Sequence, residues 1–140
     1  MKEIHDHKVN GLNDAIAITA DAPGSGGASH IYTLSLCIPG DTPLKDNIRA
    51  NTVLSFQNGP ISTPQNFNGI TNEALLAVLI DRMRGFQFSR DPDGNFSRVP
   101  GQFACKENAC ALTHMEEALM WLQKRTRDRM ARGVEGTLQA

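Results

Sequence analysis

The sequence predicts an α+β protein, a small N-terminal antiparallel β-sheet followed by a C-terminal α-helical hairpin, working as an oligomer. Three observations lead there. Short runs of β-branched residues in partial alternation are confined to residues 1–65, the β-rich part. Two long stretches with helical periodicity lie within residues 66–140, the hairpin part. The first of these is apolar around most of its circumference, and in a 140-residue chain a partner subunit is the natural cover for such a helix. At this length one domain spanning 1–140 is expected, with enough chain to bury a core.

Composition narrows the function classes. Apolar residues make up 40% and charged residues 21%, as in ordinary globular proteins. A net charge of −1 provides no global field to recruit a nucleic-acid polymer or an acidic membrane, so any basic site is local. The start, "MKEIHDHKVN", has no apolar signal core, and Cys37, Cys105 and Cys110 are an odd set. Together they read as a cytoplasmic protein with reduced thiols. The longest apolar run, "ALLAVLI" at 74–80, is far short of the roughly 20 residues of a membrane span.

Strands are expected at "AIAITA" (15–20), "HIYTLSLCI" (30–38) and "NTVLSF" (51–56). Turn-rich stretches separate or follow them: "DAPGSGGAS" at 21–29, "PGDTP" at 39–43 and Asn58-Gly59-Pro60. The first helix runs from about Thr71, an N-cap, to about Gly85, a C-cap. Leu75, Leu76, Leu79, Ile80 and Met83 form its main apolar face, which Ala77 and Val78 widen. The linker "SRDPDGNFSRVPGQ", 89–102, is too rich in Pro, Gly and Asp to be regular. The second helix begins near Lys106 and runs to about Arg132, where Gly133 stops it.

In that second helix Leu112, Met115, Leu119 and Leu122, spaced 3, 4 and 3, form a packing stripe. Repeating those steps leads to Arg125, Arg129 and Arg132. Arginines in phase with a packing seam belong at the rim of an interface, partly desolvated, where the guanidinium fork suits phosphate. Yet Lys124, Arg125, Arg127, Arg129 and Arg132 put five cations in nine residues, and a solvated basic helix end favoured by the macrodipole accounts for the same cluster. Glu116 and Glu117 are available to pair with arginines of a neighbouring subunit.

The stretch "DAPGSGGASHIY" (21–32) offers Gly24, Gly26 and Gly27 for close backbone approach to phosphate, then Ser29, His30 and Tyr32. It lacks the Gly-Lys-Ser/Thr ending of a P-loop and leads into a strand, so a mobile surface loop is the default. No metal centre is expected. On one helix Cys110 and His114 lie about 140° and 180° round from Cys105, so the three do not converge. His5-Asp6-His7 reads as a frayed terminus. "DPDGNFSRVPGQ" (91–102) has Phe96 where a calcium loop needs glycine, and Gln102 where it needs a bidentate Glu. No nucleophile stands beside a base at a recognisable spacing, so a binding protein is simpler than an enzyme.

The string "FACKENACALTHMEEALMWLQKRTRDRMARGVEGT", 103–137, closely resembles the helical hairpin of the viral Thoeris anti-defence sponges, and a related hairpin occurs in the anti-CBASS sponges. "FQNGPI" (56–61), "NGITNEALLAVLIDRMRGFQ" (68–87) and the glycine loop running into "SHIY" also resemble the first group. The likeness is strong over 68–137 and looser over 1–65. It implies a phage protein acting in the host bacterial cytoplasm, which sequesters cyclic nucleotide immune signals without cleaving them and needs no cofactor. Glycocyclic ADP-ribose is the first ligand implied; cyclic di- and trinucleotides are a second class. The family is oligomeric, with hexamers among its members and pockets between subunits.

Residue by residue, Phe103 and Ala104 precede Cys105, Lys106, Glu107 and Asn108, where the family usually has Cys-Arg-Glu-Asn. Phe103 is placed to stack on a base, a contact worth roughly 1–3 kcal/mol in single-strand binders. A hydrophobic plug at the hairpin turn is the plainer role. Asn108 suits a base edge or ribose, or simply caps the helix. Arg125, Thr126 and Arg129 match an Arg-Thr-x-x-Arg pattern suited to phosphates. The candidate ligand-binding set is Phe103, Lys106, Asn108, Thr113, Arg125, Thr126, Arg129 and Arg132, with Ser29 and His30 from the glycine loop. Two departures stand out: Lys106 keeps the charge of the usual arginine but loses its bidentate fork, and the 88–101 linker is longer than the expected short turn. The alternatives are an enzyme degrading the same nucleotides, a nucleic-acid binder using 124–132, and an inert oligomeric scaffold whose arginines make only inter-subunit ion pairs.

Overall fold

A computed structural model describes residues 1–37 and 48–138. The expected turn at 39–43 and the last residue of the 30–38 strand lie outside the described residues. The chain divides into two compact units, Met1–Ile70 and Thr71–Ala140.

The first unit is a four-stranded antiparallel sheet in sequence order: β1 (Lys2–Ile4), β2 (Ile16–Ala20), β3 (Ile31–Cys37) and β4 (Ile48–Ser55). Three strands match the expectation, and β1 was not anticipated. Residues 2–4 pair with Ile18–Ala20 and so occupy a strand edge whose backbone groups would otherwise be open. The His5–His7 segment is correspondingly not frayed: the Lys8 amide donates to the His5 carbonyl at 2.9 Å, and His7 Nε2 lies 3.0 Å from the Ile16 carbonyl.

Register sets the faces. Ile18 lies opposite Leu34, Ala20 opposite Tyr32, and Tyr32 opposite Leu54, so these five side chains share one face. The other face carries Thr19, Thr33, Ser35 and Val53. Among the described residues of this unit Ala20 and Cys37 are the buried apolar side chains, and Tyr32 meets Phe56 edge-on at 5.6 Å. Beyond β4 the chain returns to its own start: Ile70 pairs with Phe56, and the side-chain amides of Gln57 and Asn68 bind backbone groups of Asn58, Asn66 and Asn68.

The second unit holds two helices and an intervening hairpin. Helix α1 (Asn72–Gln87) is capped by Thr71, whose hydroxyl accepts from the Ala74 amide at 3.1 Å. It passes through Gly85, the expected C-cap, and ends when the Phe88 amide closes on the Arg84 carbonyl and the backbone turns extended. The linker, expected to be irregular, is a β-hairpin of β5 (Phe88–Arg90) and β6 (Phe96–Pro100). Its five-residue turn has its own chemistry. One Asp91 carboxylate oxygen accepts from the Asp93 and Asn95 amides, both at 2.9 Å, and Gly94 takes φ +85°. The Arg90 guanidinium lies 4.1 Å from the centre of the Phe96 ring and donates to the Gly94 carbonyl.

Helix α2 (Lys106–Ala131) packs against α1, with Ile80 and Leu112 buried, and the pair forms the expected helical hairpin.

A Cβ on Gly69 would come within 2.6 Å of three backbone atoms of Ser55 and Phe56, whereas one on Gly11 would meet nothing within 4 Å. Gly69→Ala is expected to lose about 1–3 kcal/mol of stability, the scale of overpacking. Gly11→Ala should leave thermal and urea unfolding midpoints within error of the unmodified chain.

Candidate functional site

In the second unit, the end of α1 and the start of α2 are held together by Gln87. Gln87, the last residue of α1, uses its backbone carbonyl to accept from the Gly101 amide at 2.9 Å and its side-chain oxygen to accept from the Cys105 amide at 3.2 Å. A Cβ on Gly101 would stand 2.7 Å from the Phe86 carbonyl, so only glycine fits this approach. Cys105 caps α2: its sulfur accepts from the Asn108 amide at 3.4 Å. Asn108 therefore does not cap the helix; its side-chain Nδ2 donates to the Phe103 carbonyl at 3.2 Å.

Phe103 is 63% exposed and meets Phe86 edge-on, ring centres 6.3 Å apart. It is a displayed ring braced by another aromatic, not a buried plug. Beside it an open depression of about 400 Å³ is lined by Gln87, Phe88, Pro100, Ala104, Cys105, Lys106 and Ala109. Apolar walls, a lysine and the positive end of a 26-residue helix suit a planar group bearing an anion. Neither Phe86 nor the Arg82 guanidinium that stands 5.0 Å from its ring centre was singled out from the sequence, although their i, i+4 spacing was visible.

Farther along α2 the arginines separate. Each step of three residues falls about 60° short of a full turn and each step of four overshoots by about 40°. After Leu122 a step of four, to Thr126, keeps the packing stripe in line, and a step of three then reaches Arg129. Accordingly Thr126 is half-buried and Arg129 is 6% exposed, while Arg125 and Arg132 are exposed. The expectation that all three arginines continue the seam is thus corrected: only Arg129 does.

Arg129 is also engaged. Its Nε donates to the Glu135 carboxylate at 3.0 Å, and its Nη2 donates to the carbonyls of Val134 and Thr137, both at 2.9 Å. Those acceptors lie in a turn that closes α2. The Val134 amide returns to the Arg129 carbonyl and the Gly133 amide to that of Met130, with Gly133 at φ +71°, a Schellman arrangement. The Thr126 hydroxyl donates back to the Leu122 carbonyl at 3.4 Å.

Arg125, Arg127 and Arg132 make no ion pair among the described residues, whereas Lys124 pairs with Asp128. Thr113 is exposed, as is Trp121, which lies one turn before Arg125 and was not anticipated. Glu116 pairs with Arg84 of the same chain at 3.5 Å, and Glu117 lies 3.7 Å from His114.

Ser29 and His30 belong to the first unit. The Ser29 hydroxyl donates to the Asp21 carbonyl at 2.8 Å, and His30 Nε2 lies 2.9 Å from the Ser25 carbonyl. A Pro23–Ser29 bridge and a bond from the Ser25 amide to Asn58 knit the glycine loop together, so it is hydrogen-bonded along its length.

The Acb2/Tad1 hairpin domain matches residues 51–127, more than half of the chain. The chain belongs to this family. A relative named Thoeris anti-defense 1, from Bacillus phage SBSphiJ7, is 45% identical over 94 residues, covering 67% of this chain and 57% of that protein's length. The chain thus matches somewhat over half the length of the curated relative. The family match contains Phe103, Lys106, Asn108, Thr113, Arg125 and Thr126; Arg129 and Arg132 lie just beyond it, and Ser29 and His30 precede it.

Because Arg129→Ala removes a buried guanidinium that ties the Glu135 carboxylate and the Val134 and Thr137 carbonyls to the helix, it should cost about 1.5–3 kcal/mol, the scale of hydrogen bonds to a charged group. Glu135→Gln, at a carboxylate 41% exposed, should cost under about 1 kcal/mol. Urea denaturation of the two variants tests the ranking, and equal losses would contradict it.

Proposed function

We propose that this protein is a phage anti-defence sponge: it binds a cyclic nucleotide immune signal in the host bacterial cytoplasm, holds it without cleaving it, and so withholds it from the Thoeris effector. The ligand proposed first is glycocyclic ADP-ribose, with the cyclic di- and trinucleotides of CBASS as a second class. The observation that carries this reading is that the family match includes Phe103, Lys106, Asn108, Thr113, Arg125 and Thr126, whose chemistry suits such a ligand. The name of the phage relative, Thoeris anti-defense 1, supports the same biology.

The residue roles follow from chemistry. Phe103 stacks on the adenine; Asn108 and Thr113 serve the base edge or ribose; Lys106, Arg125 and Arg132 serve the phosphates. Lys106 would act as a point charge in place of a fork. Arg129 joins the phosphate set by giving up bonds to Glu135, Val134 or Thr137, and Thr126 by releasing the Leu122 carbonyl. Ser29 and His30 likewise would trade bonds within their own loop.

Ligands are proposed to lie between subunits of a homo-oligomer, a hexamer. Val78 and Leu79 on α1, and Met120 and Trp121 on α2, are exposed apolar side chains at 41–69% of their full surface, which a neighbouring subunit would cover.

Incubation of the protein with glycocyclic ADP-ribose should remove it from solution as followed by chromatography, and denaturing the protein should return it unchanged. Ligand returned in altered form would mean an enzyme. Ligand that never leaves solution would overturn the proposed ligand.

A further inference from the structure

Phe103 presents most of its ring to solvent, yet it is braced. Phe86 meets it edge-to-face at 81°, with ring centres 6.3 Å apart. Phe86 is half-buried near the end of α1 and carries the Arg82 guanidinium 5.0 Å from its ring centre. The backbone beneath Phe103 is fastened too, by Asn108 Nδ2 on its carbonyl and by the bond from the Ala104 amide to the Gly101 carbonyl at 3.2 Å. A side chain that must choose its rotamer on binding loses affinity to that ordering, and one held beforehand does not. An edge-to-face contact also leaves the rest of the ring surface open for a second flat group.

We propose that Phe86 is a positioning residue: steadied by Arg82, it holds the Phe103 ring as a preorganised platform on which the purine base of the ligand stacks, without touching the ligand itself. This rests on the base-bearing ligand proposed above. It adds to the site two residues of α1, so that the stacking surface is set by α1 together with the turn that leads into α2.

The test uses the full chain with Phe86→Leu, Phe86→Tyr, Arg82→Gln, Phe103→Ala and the Phe86→Leu/Phe103→Ala pair. Without ligand, the aromatic NMR signals of Phe103 should carry a ring-current shift from Phe86. That shift should vanish in Phe86→Leu, persist in Phe86→Tyr and decrease in the surface variant Arg82→Gln, which keeps the question open to answer even if Phe86→Leu folds poorly. By calorimetry with glycocyclic ADP-ribose, Phe86→Leu should weaken binding about fivefold, the scale of one aromatic pair. Phe86→Tyr should restore it, and Phe86→Leu should add almost nothing once Phe103 is alanine. A loss carried undiminished into the Phe103→Ala background, or Phe103 signals indifferent to residue 86, overturns the proposal. If the unmodified chain takes up no glycocyclic ADP-ribose, the ligand assignment falls, and the ring signals still decide whether Phe86 holds Phe103.

Discussion

One residue, Gln87, fastens the second unit together. Its carbonyl receives the chain as it returns from the β5–β6 hairpin, and its side-chain oxygen receives the amide of Cys105, the cap of α2. The close approach needed for the first bond admits only glycine at 101. Where α2 begins is therefore set from the end of α1. In a helix the starting point fixes the phase of every later side chain. The inward turn of Leu112 and Arg129, and the outward turn of Arg125 and Arg132, follow from the same junction.

Much of this was legible from residue patterns. Strands β2 to β4 announced themselves through β-branched runs, and α2 through Lys106 at its start and Gly133 at its stop, which the structure keeps at a left-handed φ. What escaped was short or averaged away. Three residues at the terminus cannot show a period, so β1 was invisible until its partner was known. In the linker, Pro, Gly and Asp counted over the whole stretch hid a five-residue turn between two phenylalanine-led strands. The arginine stripe failed for a numerical reason: two consecutive steps of three drift off a 3.6-residue helix.

The candidate site was legible only in part, for related reasons. Phe103 and Lys106 stand where their neighbours in sequence suggested, at an exposed turn and a helix start. The Phe86–Phe103 contact escaped because nothing in the chain pattern tells which ring across the hairpin a phenylalanine will meet. Arg129 shows the opposite lesson. An arginine arriving in a packing seam needs acceptors, and a few residues of following chain, with Gly133 and Gly136 at positive φ, curl back to supply carbonyls and a carboxylate. Motif matching sees the guanidinium but not the acceptors that fill it.

The β5–β6 hairpin begins and ends at the same fastening point, and its turn is closed by Asp91, Gly94 and the Arg90–Phe96 stack. Such an element is modular. Its tip can be lengthened, shortened or recomposed while the helices keep their alignment, because both strand ends report back to Gln87. The tip at 91–95 is for the same reason the place where an affinity tag or a fluorophore can be spliced into the chain with least disturbance to the hairpin of helices.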